Sequence, residues 1–184
     1  MKRWTLFLDR DGVINNRIVG SYVRNWSEFE FLGGVLEVMP ILARKFDCIV
    51  VVTNQQGIAK GVMTESDLNK VHAKMLEEIK KKGGRIDKVY FCAAHERENP
   101  PCRKPNVGMA EQAKSDFARI DFDCAIMVGD SITDIEFGYN MNMKTVLVET
   151  KADIDPIKLE KITNQIDYKY PDLYTFANDL NNII

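Results

Sequence analysis

Short apolar runs alternate with stretches of helical periodicity along the chain. The runs are rich in β-branched and aromatic residues, which favour strands. They lie at residues 6–8, 48–52, 89–92, 124–128 and 145–148. The stretches between them space their apolar residues as helices do, with Pro40 as an internal irregularity that should kink the first helix. This alternation predicts an α/β fold, a three-layer Rossmann-like parallel sheet with helices on both faces.

The connections and the tail add detail to this prediction. Residues 15–30 and 93–105 lack a sustained period and carry glycine, proline or charged residues, so we predict long loops there. No large insertion separates the strand ends, which indicates a single domain over residues 1–184 without a large cap domain. Beyond residue 148 the chain shows two weakly amphipathic helical patterns.

Polar side chains follow several of the predicted strands directly. The carboxyl ends of parallel strands meet at one edge of a sheet, where ligands bind in open α/β folds. The residues collected there are Asp9, Asp11, Thr53, Asn54, Lys104, Asp130 and Asp134. Clustered carboxylates repel one another unless a cation compensates them, and oxygen ligands beside a phosphate suit Mg²⁺. We therefore predict a magnesium-dependent phosphate site at this edge.

Composition narrows the choice of partners and location. The chain of 184 residues is 45% hydrophobic, with a net charge of -2 and a pI near 5.8. This balance gives no overall attraction to nucleic acid or to an anionic membrane. No stretch is apolar enough to span a bilayer or to resemble a signal segment, so we expect a cytoplasmic protein. Nothing resembles a dedicated dimerisation element, so we expect a monomer. Four cysteines are few for this length and make a disulfide scaffold unexpected, and His72 beside an apolar stripe is interpreted as a packing or surface residue.

The first pair of aspartates suggests two chemical roles. A carboxylate can attack phosphorus and form an aspartyl phosphate, which divides a difficult hydrolysis into two easier displacements. Asp9, nearer the strand end, suits the nucleophile, and Asp11 suits a general acid that later acts as a base. Lys104 and Thr53 suit the stabilisation of the phosphoryl oxygens.

Four segments carry a resemblance to a known family. Asp9-Arg-Asp11-Gly, Thr53-Asn-Gln, Lys104 and Gly129-Asp130 resemble, in order, the four motifs of the haloacid dehalogenase (HAD) superfamily of phosphatases. More narrowly, DRDGVIN, VVVTNQQGIAKG, CRKPNVGM and VGDS are similar to the D,D-heptose 1,7-bisphosphate phosphatases and to their sister group, the histidinol-phosphate phosphatases. TNQ-x-GIAKG and the GM after CRKP favour the heptose branch. That resemblance implies hydrolysis of the C7 phosphate of D-glycero-D-manno-heptose 1,7-bisphosphate, a small phosphorylated sugar.

The same resemblance implies roles for individual residues. Asp9, Asp130 and the main-chain carbonyl of Asp11 would ligate Mg²⁺, with Asp9, Asp11, Thr53 and Lys104 as the catalytic set. Arg103 would hold the distal part of the substrate, because its planar fork suits a second phosphate or a polyol. The remaining substrate contacts would come from Gly20, Ser21, Tyr22, Asn54, Gln55 and Gln56.

The resemblance weakens in the loop before Lys104. The family usually carries four Cys and His ligands there, which close a tetrahedral structural zinc site. Here the loop offers Cys92, His95 and Cys102, with one cysteine missing and the histidine shifted by one position. Structural zinc sites rarely stay open, so we expect no stoichiometric Zn²⁺ and expect Pro100 and Pro101 to stiffen the loop instead.

Three other functions fit parts of the sequence. Histidinol-phosphate hydrolysis uses the same chemistry, and rates on both substrates would separate the two. A non-catalytic phosphosugar-binding protein on the same fold is disfavoured because the nucleophile, acid/base, lysine and metal carboxylate are all present. A nucleic-acid 3′-phosphatase lacks the basic surface that duplex binding requires.

Overall fold

A six-stranded, fully parallel sheet forms the centre of the protein. The computed structural model describes residues 3–150 and 154–184. The strands are β1 (Thr5–Leu8), β2 (Cys48–Asn54), β3 (Lys88–Cys92), β4 (Ala125–Gly129), β5 (Lys144–Val148) and β6 (Tyr168–Tyr170). Their order in the sheet is β3-β2-β1-β4-β5-β6. The sequence order reverses between β1 and β4, so a crevice opens beyond the carboxyl ends of these two strands.

Six helices cover the sheet on both faces. They are α1 (Val35–Lys45), α2 (Glu65–Lys81), α3 (Gly108–Asp116), α4 (Ile132–Asn140), α5 (Pro156–Lys161) and α6 (Leu173–Asn178). Helix α1 continues through Pro40. Helix α2 begins with a capping box between Thr64 and Asp67. No helix in the described ranges is long and apolar enough to cross a membrane.

The alternation of side chains along the strands divides the core into layers. Leu6 and Leu8 of β1 pack in one cluster with apolar residues of α1, α2 and α6. Phe7, between them, points to the other face and packs with residues of α3 and with Phe137 of α4. The central strands are therefore buried on both faces, which explains their continuous apolar sequences. The predicted three-layer parallel architecture is confirmed.

Strand β6 is the main difference from the predicted fold. It has only three residues, Tyr168–Tyr170, and pairs with β5 at the edge of the sheet. Its two tyrosines are half-buried and the lysine between them is exposed. The sequence indicated only two weak helical patterns in the tail, because three alternating residues give too short a pattern to distinguish an edge strand from a loop.

Candidate active site

The strand ends on either side of the β1/β4 crevice form a cavity of about 380 Å³. Asp9 follows β1 directly, and its main-chain N–H donates to the carbonyl of Val128 in β4 at 3.0 Å. Asp130 directly follows the last residue of β4. The described residues that line the cavity include Asp9, Asp11, Thr53, Asn54, Lys104, Asp130 and Asp134. All seven polar residues that the sequence predicts at this edge therefore meet in one place.

Lys104 is the cation at the centre of this group. Its ammonium nitrogen lies 2.8 Å from Oδ1 of Asp9 and 2.6 Å from Oδ1 of Asp134, and it also donates to the carbonyl of Val52 at 2.6 Å. Burial acts to lower the pKa of Lys104, but Asp134 and Asp9 outweigh burial and raise it. The lysine is therefore charged, buried and directed at the predicted nucleophile.

Asn54 fixes the segment that carries this lysine. The side chain of Asn54 donates to the carbonyl of Lys104 and accepts from its main-chain N–H, each at 3.1 Å. This paired contact ties the end of β2 to the loop before α3. Asn54 also lines the cavity, so it combines a structural contact with a position that substrate can reach.

Three buried aspartates could hold a metal ion. One carboxylate oxygen each from Asp9, Asp130 and Asp134 lie within 4.8 Å of one another. Burial is the main reason that the pKa of Asp9 rises to about 6, with Lys104 opposing the rise and Asp134 adding to it. Three carboxylates form an all-oxygen donor set, which suits a hard cation. These residues therefore fit Mg²⁺.

Two glycines allow the aspartates to approach so closely. Gly12 has φ +90°, and a Cβ atom built there would lie 2.0 Å from Oδ2 of Asp130. A Cβ atom on Gly129 would lie 2.1 Å from Cβ of Asp134. Asp134 is also fixed by Ser131, whose hydroxyl and main-chain N–H both donate to its Oδ2 at the start of α4. Any side chain at position 12 or 129 would displace a carboxylate of the predicted metal site.

Asp11 has a different environment from Asp9. Its carboxylate accepts hydrogen bonds from the Arg10 guanidinium, from the Asn15 amide at 2.9 Å and from the Gln55 amide at 2.8 Å. Burial acts to raise the pKa of Asp11, but the charge of Arg10 and the donated hydrogen bonds outweigh it and hold the pKa below its usual range. The two neighbouring aspartates therefore have pKa values shifted in opposite directions, which shows that their electrostatic environments differ.

Thr53 lies beside both aspartates at the end of β2. It is almost fully buried and lines the cavity, and its Oγ1 accepts from the Gln55 amide at 2.9 Å. The Thr53 hydroxyl proton therefore remains available to another acceptor. A phosphoryl oxygen in the cavity would provide one.

The predicted substrate contacts divide into two groups. Gly20, Ser21, Tyr22 and Asn54 line the cavity. Three others do not lie along it: Gln55, Gln56 and Arg103. Gln55 is fully buried and donates to Asp11 and Thr53, and its contact with substrate stays a prediction.

The other two side chains contact the loop after β3. Arg103 lies 3.5 Å from a carboxylate oxygen of Glu96, and Gln56 accepts from the Glu96 main-chain N–H at 3.4 Å. A glutamine after a strand end predicts a polar contact, but the sequence did not indicate that this contact would be made within the protein.

The predicted zinc residues are arranged differently from a zinc site. Cys92 and Cys102 form a disulfide with their Cα atoms 5.4 Å apart, whereas we expected no disulfide scaffold. Their pairing follows from the loop after β3, which returns to the sheet at Lys104 and brings residue 102 back to the end of the strand. His95 caps a short 3₁₀ turn by accepting from the N–H of Arg97. The disulfide therefore links the two ends of the loop. The expectation that the protein binds no stoichiometric Zn²⁺ stays a prediction.

Two residues of the site carried no signal in the sequence analysis. Arg10 is fully buried and contacts both Asp11 and His72. His72 of α2 is almost completely buried, which agrees with its interpretation as a packing residue but adds a polar partner. The sequence analysis assigned no role to the arginine of the DRDG motif, and only the fold shows that this arginine points inward.

Comparison with known proteins agrees with this geometry. The sequence model of the HAD-hydrolase-like family matches residues 101–175. The D-glycero-alpha-D-manno-heptose-1,7-bisphosphate 7-phosphatase of Mycobacterium tuberculosis is 39% identical over 139 residues, which cover 76% of this chain and 73% of the relative. The chain belongs to the HAD superfamily, in the group of these phosphatases. The D-glycero-beta-D-manno-heptose-1,7-bisphosphate 7-phosphatase of Escherichia coli is 36% identical, covering 82% of both chains.

A solved structure from the same group extends the likeness to the whole chain. The D,D-heptose 1,7-bisphosphate phosphatase of B. bronchiseptica, complexed with magnesium and phosphate, is 27% identical with a TM-score of 0.84. The match covers 98% of this chain and 99% of that one. The predicted HAD-like fold and the predicted membership of this group are confirmed.

Proposed function

We propose that this protein is a Mg²⁺-dependent phosphatase that hydrolyses the C7 phosphate of D-glycero-D-manno-heptose 1,7-bisphosphate through an aspartyl-phosphate intermediate. The observation that carries the proposal is the buried contact of Lys104 with Asp9, beside two further aspartates that fit a magnesium ion. The relatives and the magnesium- and phosphate-bound structure support the same assignment.

The residues of the cavity can perform both displacements. In the first, a carboxylate oxygen of Asp9 attacks phosphorus and the bond to the sugar oxygen breaks. Asp11 is ionised in the free protein, must take up a proton when the anionic substrate lies beside it, and gives that proton to the leaving oxygen. In the second, Asp11 takes a proton from a water molecule that attacks the aspartyl phosphate, which releases inorganic phosphate and regenerates Asp9. The same carboxyl group therefore serves as acid and then as base.

Electrostatic groups stabilise the transferring phosphoryl group. The Lys104 ammonium and the Thr53 hydroxyl, which both line the cavity, would contact its equatorial oxygens. Asp9, Asp130 and the main-chain carbonyl of Asp11 would hold Mg²⁺, with Asp134 close enough to contribute directly or through water. A bound Mg²⁺ supplies charge compensation between the nucleophile and the phosphate.

The sugar would contact the loop that overhangs the cavity. Gly20, Ser21 and Tyr22 of this loop and Asn54 of β2 line the cavity and would contact the polyol. Arg103 would reach the distal phosphate only after exchanging its Glu96 contact for the substrate. We further propose that the protein acts in the cytoplasm, because a doubly phosphorylated sugar does not cross a bilayer unaided. We also propose that it is a monomer.

A substrate comparison tests the proposal. The purified protein should hydrolyse the heptose bisphosphate in the presence of Mg²⁺, release one phosphate per molecule and lose activity with EDTA. Histidinol phosphate is the matched competitor, and a higher kcat/KM on it would overturn the substrate assignment. Asp9→Asn should abolish turnover, whereas Asp123→Asn, the same change at an exposed site, should not. Undiminished hydrolysis by Asp9→Asn would exclude Asp9 as the nucleophile.

A further inference from the structure

A buried arginine and histidine lie behind the proposed acid/base residue. Arg10 is fully buried and is the largest such side chain among the described residues. Its Nη2 atom donates to Oδ1 and Oδ2 of Asp11 at 2.8 and 2.9 Å, and its Nε atom lies 3.2 Å from Oδ1. Its Nη1 atom lies 3.0 Å from Nε2 of His72. The guanidinium therefore joins helix α2 to the loop directly after β1, which carries Asp9 and Asp11.

The chemistry of arginine fixes the roles in this contact. A guanidinium is charged at all relevant pH values and can only donate hydrogen bonds. The Nε2 atom of His72 must therefore accept, which places the histidine proton on Nδ1 and leaves the ring neutral. Burial, together with the charge of Arg10, agrees with this assignment, because they lower the pKa of His72 to about 3. His72 is thus a permanent acceptor rather than a proton donor.

The contact also restricts the rotation of Arg10. A side chain with this many rotatable bonds loses considerable conformational entropy when it is fixed. Here one end of the planar fork is held by His72 and the other by a carboxylate, while the His72 ring packs near Phe91 with centroids 6.0 Å apart. The neutral donors Asn15 and Gln55 contact the same carboxylate from other directions. Both oxygens of Asp11 therefore have defined partners before substrate arrives.

We propose that Arg10, anchored by His72, is the positioning residue that orients the Asp11 carboxylate for both proton transfers. This inference rests on the proposed phosphatase function and assigns a role to two residues outside the predicted catalytic set. Without the His72 acceptor, Nη1 is a buried donor with no partner, and the guanidinium must shift to satisfy it. Such a shift moves the fork that holds Asp11 and leaves Asp9 and Lys104 in place.

The choice of leaving group separates this role from a general structural one. p-Nitrophenolate leaves phosphorus without a proton, so attack by Asp9 on p-nitrophenyl phosphate does not need a well-placed acid. An alkoxide leaving group needs one, and hydrolysis of the aspartyl phosphate needs a well-placed base with either substrate. Misplaced Asp11 should therefore slow the second step with p-nitrophenyl phosphate and both steps with an alkyl phosphate.

Rapid-mixing kinetics of His72→Leu with Mg²⁺ present test this inference. On p-nitrophenyl phosphate we expect a burst of about one p-nitrophenolate per chain at a rate within about 3-fold of wild type. The following steady-state rate should be lower by about 10-fold or more. On the heptose bisphosphate, kcat should fall by about 10-fold or more with little change in KM. His72→Gln, whose amide oxygen can accept from Arg10, should recover most of the rate.

Two further results complete the test. Arg10→Lys keeps the positive charge but lacks the planar guanidinium. It should therefore show the same burst followed by the same slow steady state, and it provides the test if His72→Leu folds poorly. Equal losses in burst and steady-state phases, or wild-type kinetics in both variants, would overturn the positioning role while leaving the phosphatase function intact. A wild-type protein that hydrolyses neither ester would instead overturn the proposed function, and this inference with it.

Discussion

The Nζ atom of Lys104 lies 2.8 Å from Oδ1 of Asp9, and both side chains are buried at the end of β1. The same nitrogen lies 2.6 Å from Asp134, so one cation is shared by two carboxylates. A shared cation leaves a net negative charge that Mg²⁺ can compensate. We therefore expect Lys104 to contribute to folding as well as to phosphate binding, and the two contributions can be measured separately.

Replacing Lys104 by Met should reduce both activity and stability. The change removes the charge that contacts Asp9 and the phosphoryl oxygens, and we expect kcat to fall by about 100-fold or more. It also leaves two buried carboxylates without their cation, so the free energy of unfolding in EDTA should fall by about 3 kcal/mol or more. Steady-state kinetics and urea titration measure the two effects. Lys80→Met, at an exposed position of α2, is the control and should change neither.

Asp9→Asn should stabilise the metal-free protein at neutral and alkaline pH. The folded-state pKa of Asp9 is raised to about 6, so the folded protein binds this proton more tightly than the unfolded chain does. The resulting stabilisation is complete below about pH 4 and is lost as the pH rises through 6, where the buried carboxylate becomes charged. An uncharged amide avoids that cost, and we expect a gain of about 1–3 kcal/mol at pH 8 in EDTA.

The pH dependence of this gain provides an internal check. The difference between wild type and Asp9→Asn should shrink as the pH is lowered from 8 to 4, because wild-type Asp9 then becomes neutral in the folded state. Asp123→Asn at an exposed position should show no such trend. Urea titrations at several pH values measure it, and a gain that grows toward low pH would contradict the raised pKa.

Sequence patterns predicted the parts of the molecule that depend on local periodicity. Strands β1, β2 and β4 are buried on both faces, and this burial produces continuous apolar runs that end sharply at Asp9, Thr53 and Asp130. The carboxyl ends of parallel strands then bring those residues together without further information. The edge strand β6 has neither long burial nor a sharp end, so its sequence gives no comparable signal.

The unpredicted features depend on contacts between distant segments. Arg10 and His72 are 62 positions apart and meet only because α2 packs behind the loop that follows β1. Gln55 points inward because Asp11 and Thr53 both lie within reach of its amide. A linear pattern assigns residue types to elements, but the direction of each polar side chain is decided by the partners that the fold supplies.

Gly12→Ala should weaken Mg²⁺ binding more than it weakens folding. A Cβ atom at this position would lie 2.0 Å from Oδ2 of Asp130, and φ +90° is unfavourable for alanine. The Asp130 carboxylate must move, so we expect the apparent Mg²⁺ affinity to fall by about 10-fold or more. Activity measured against Mg²⁺ concentration tests this expectation. Gly33→Ala is the control, because a Cβ atom there meets no heavy atom within 4 Å, and equal metal affinities in the two variants would contradict the predicted role of Asp130.

Gly57→Ala should affect substrate binding through Tyr22. A Cβ atom on Gly57 would lie 2.9 Å from the Tyr22 ring, which lines the cavity and has the Lys60 ammonium 5.5 Å from its centroid. The ring must move, while Asp9 and Lys104 keep their contacts, so KM for the heptose bisphosphate should rise by about 3–10-fold with kcat nearly unchanged. Steady-state kinetics on this substrate and on p-nitrophenyl phosphate, which lacks the polyol, separate the two effects. Gly33→Ala should leave both substrates unaffected, and an equal rise in KM for both would show that Tyr22 supports the phosphate site rather than the sugar.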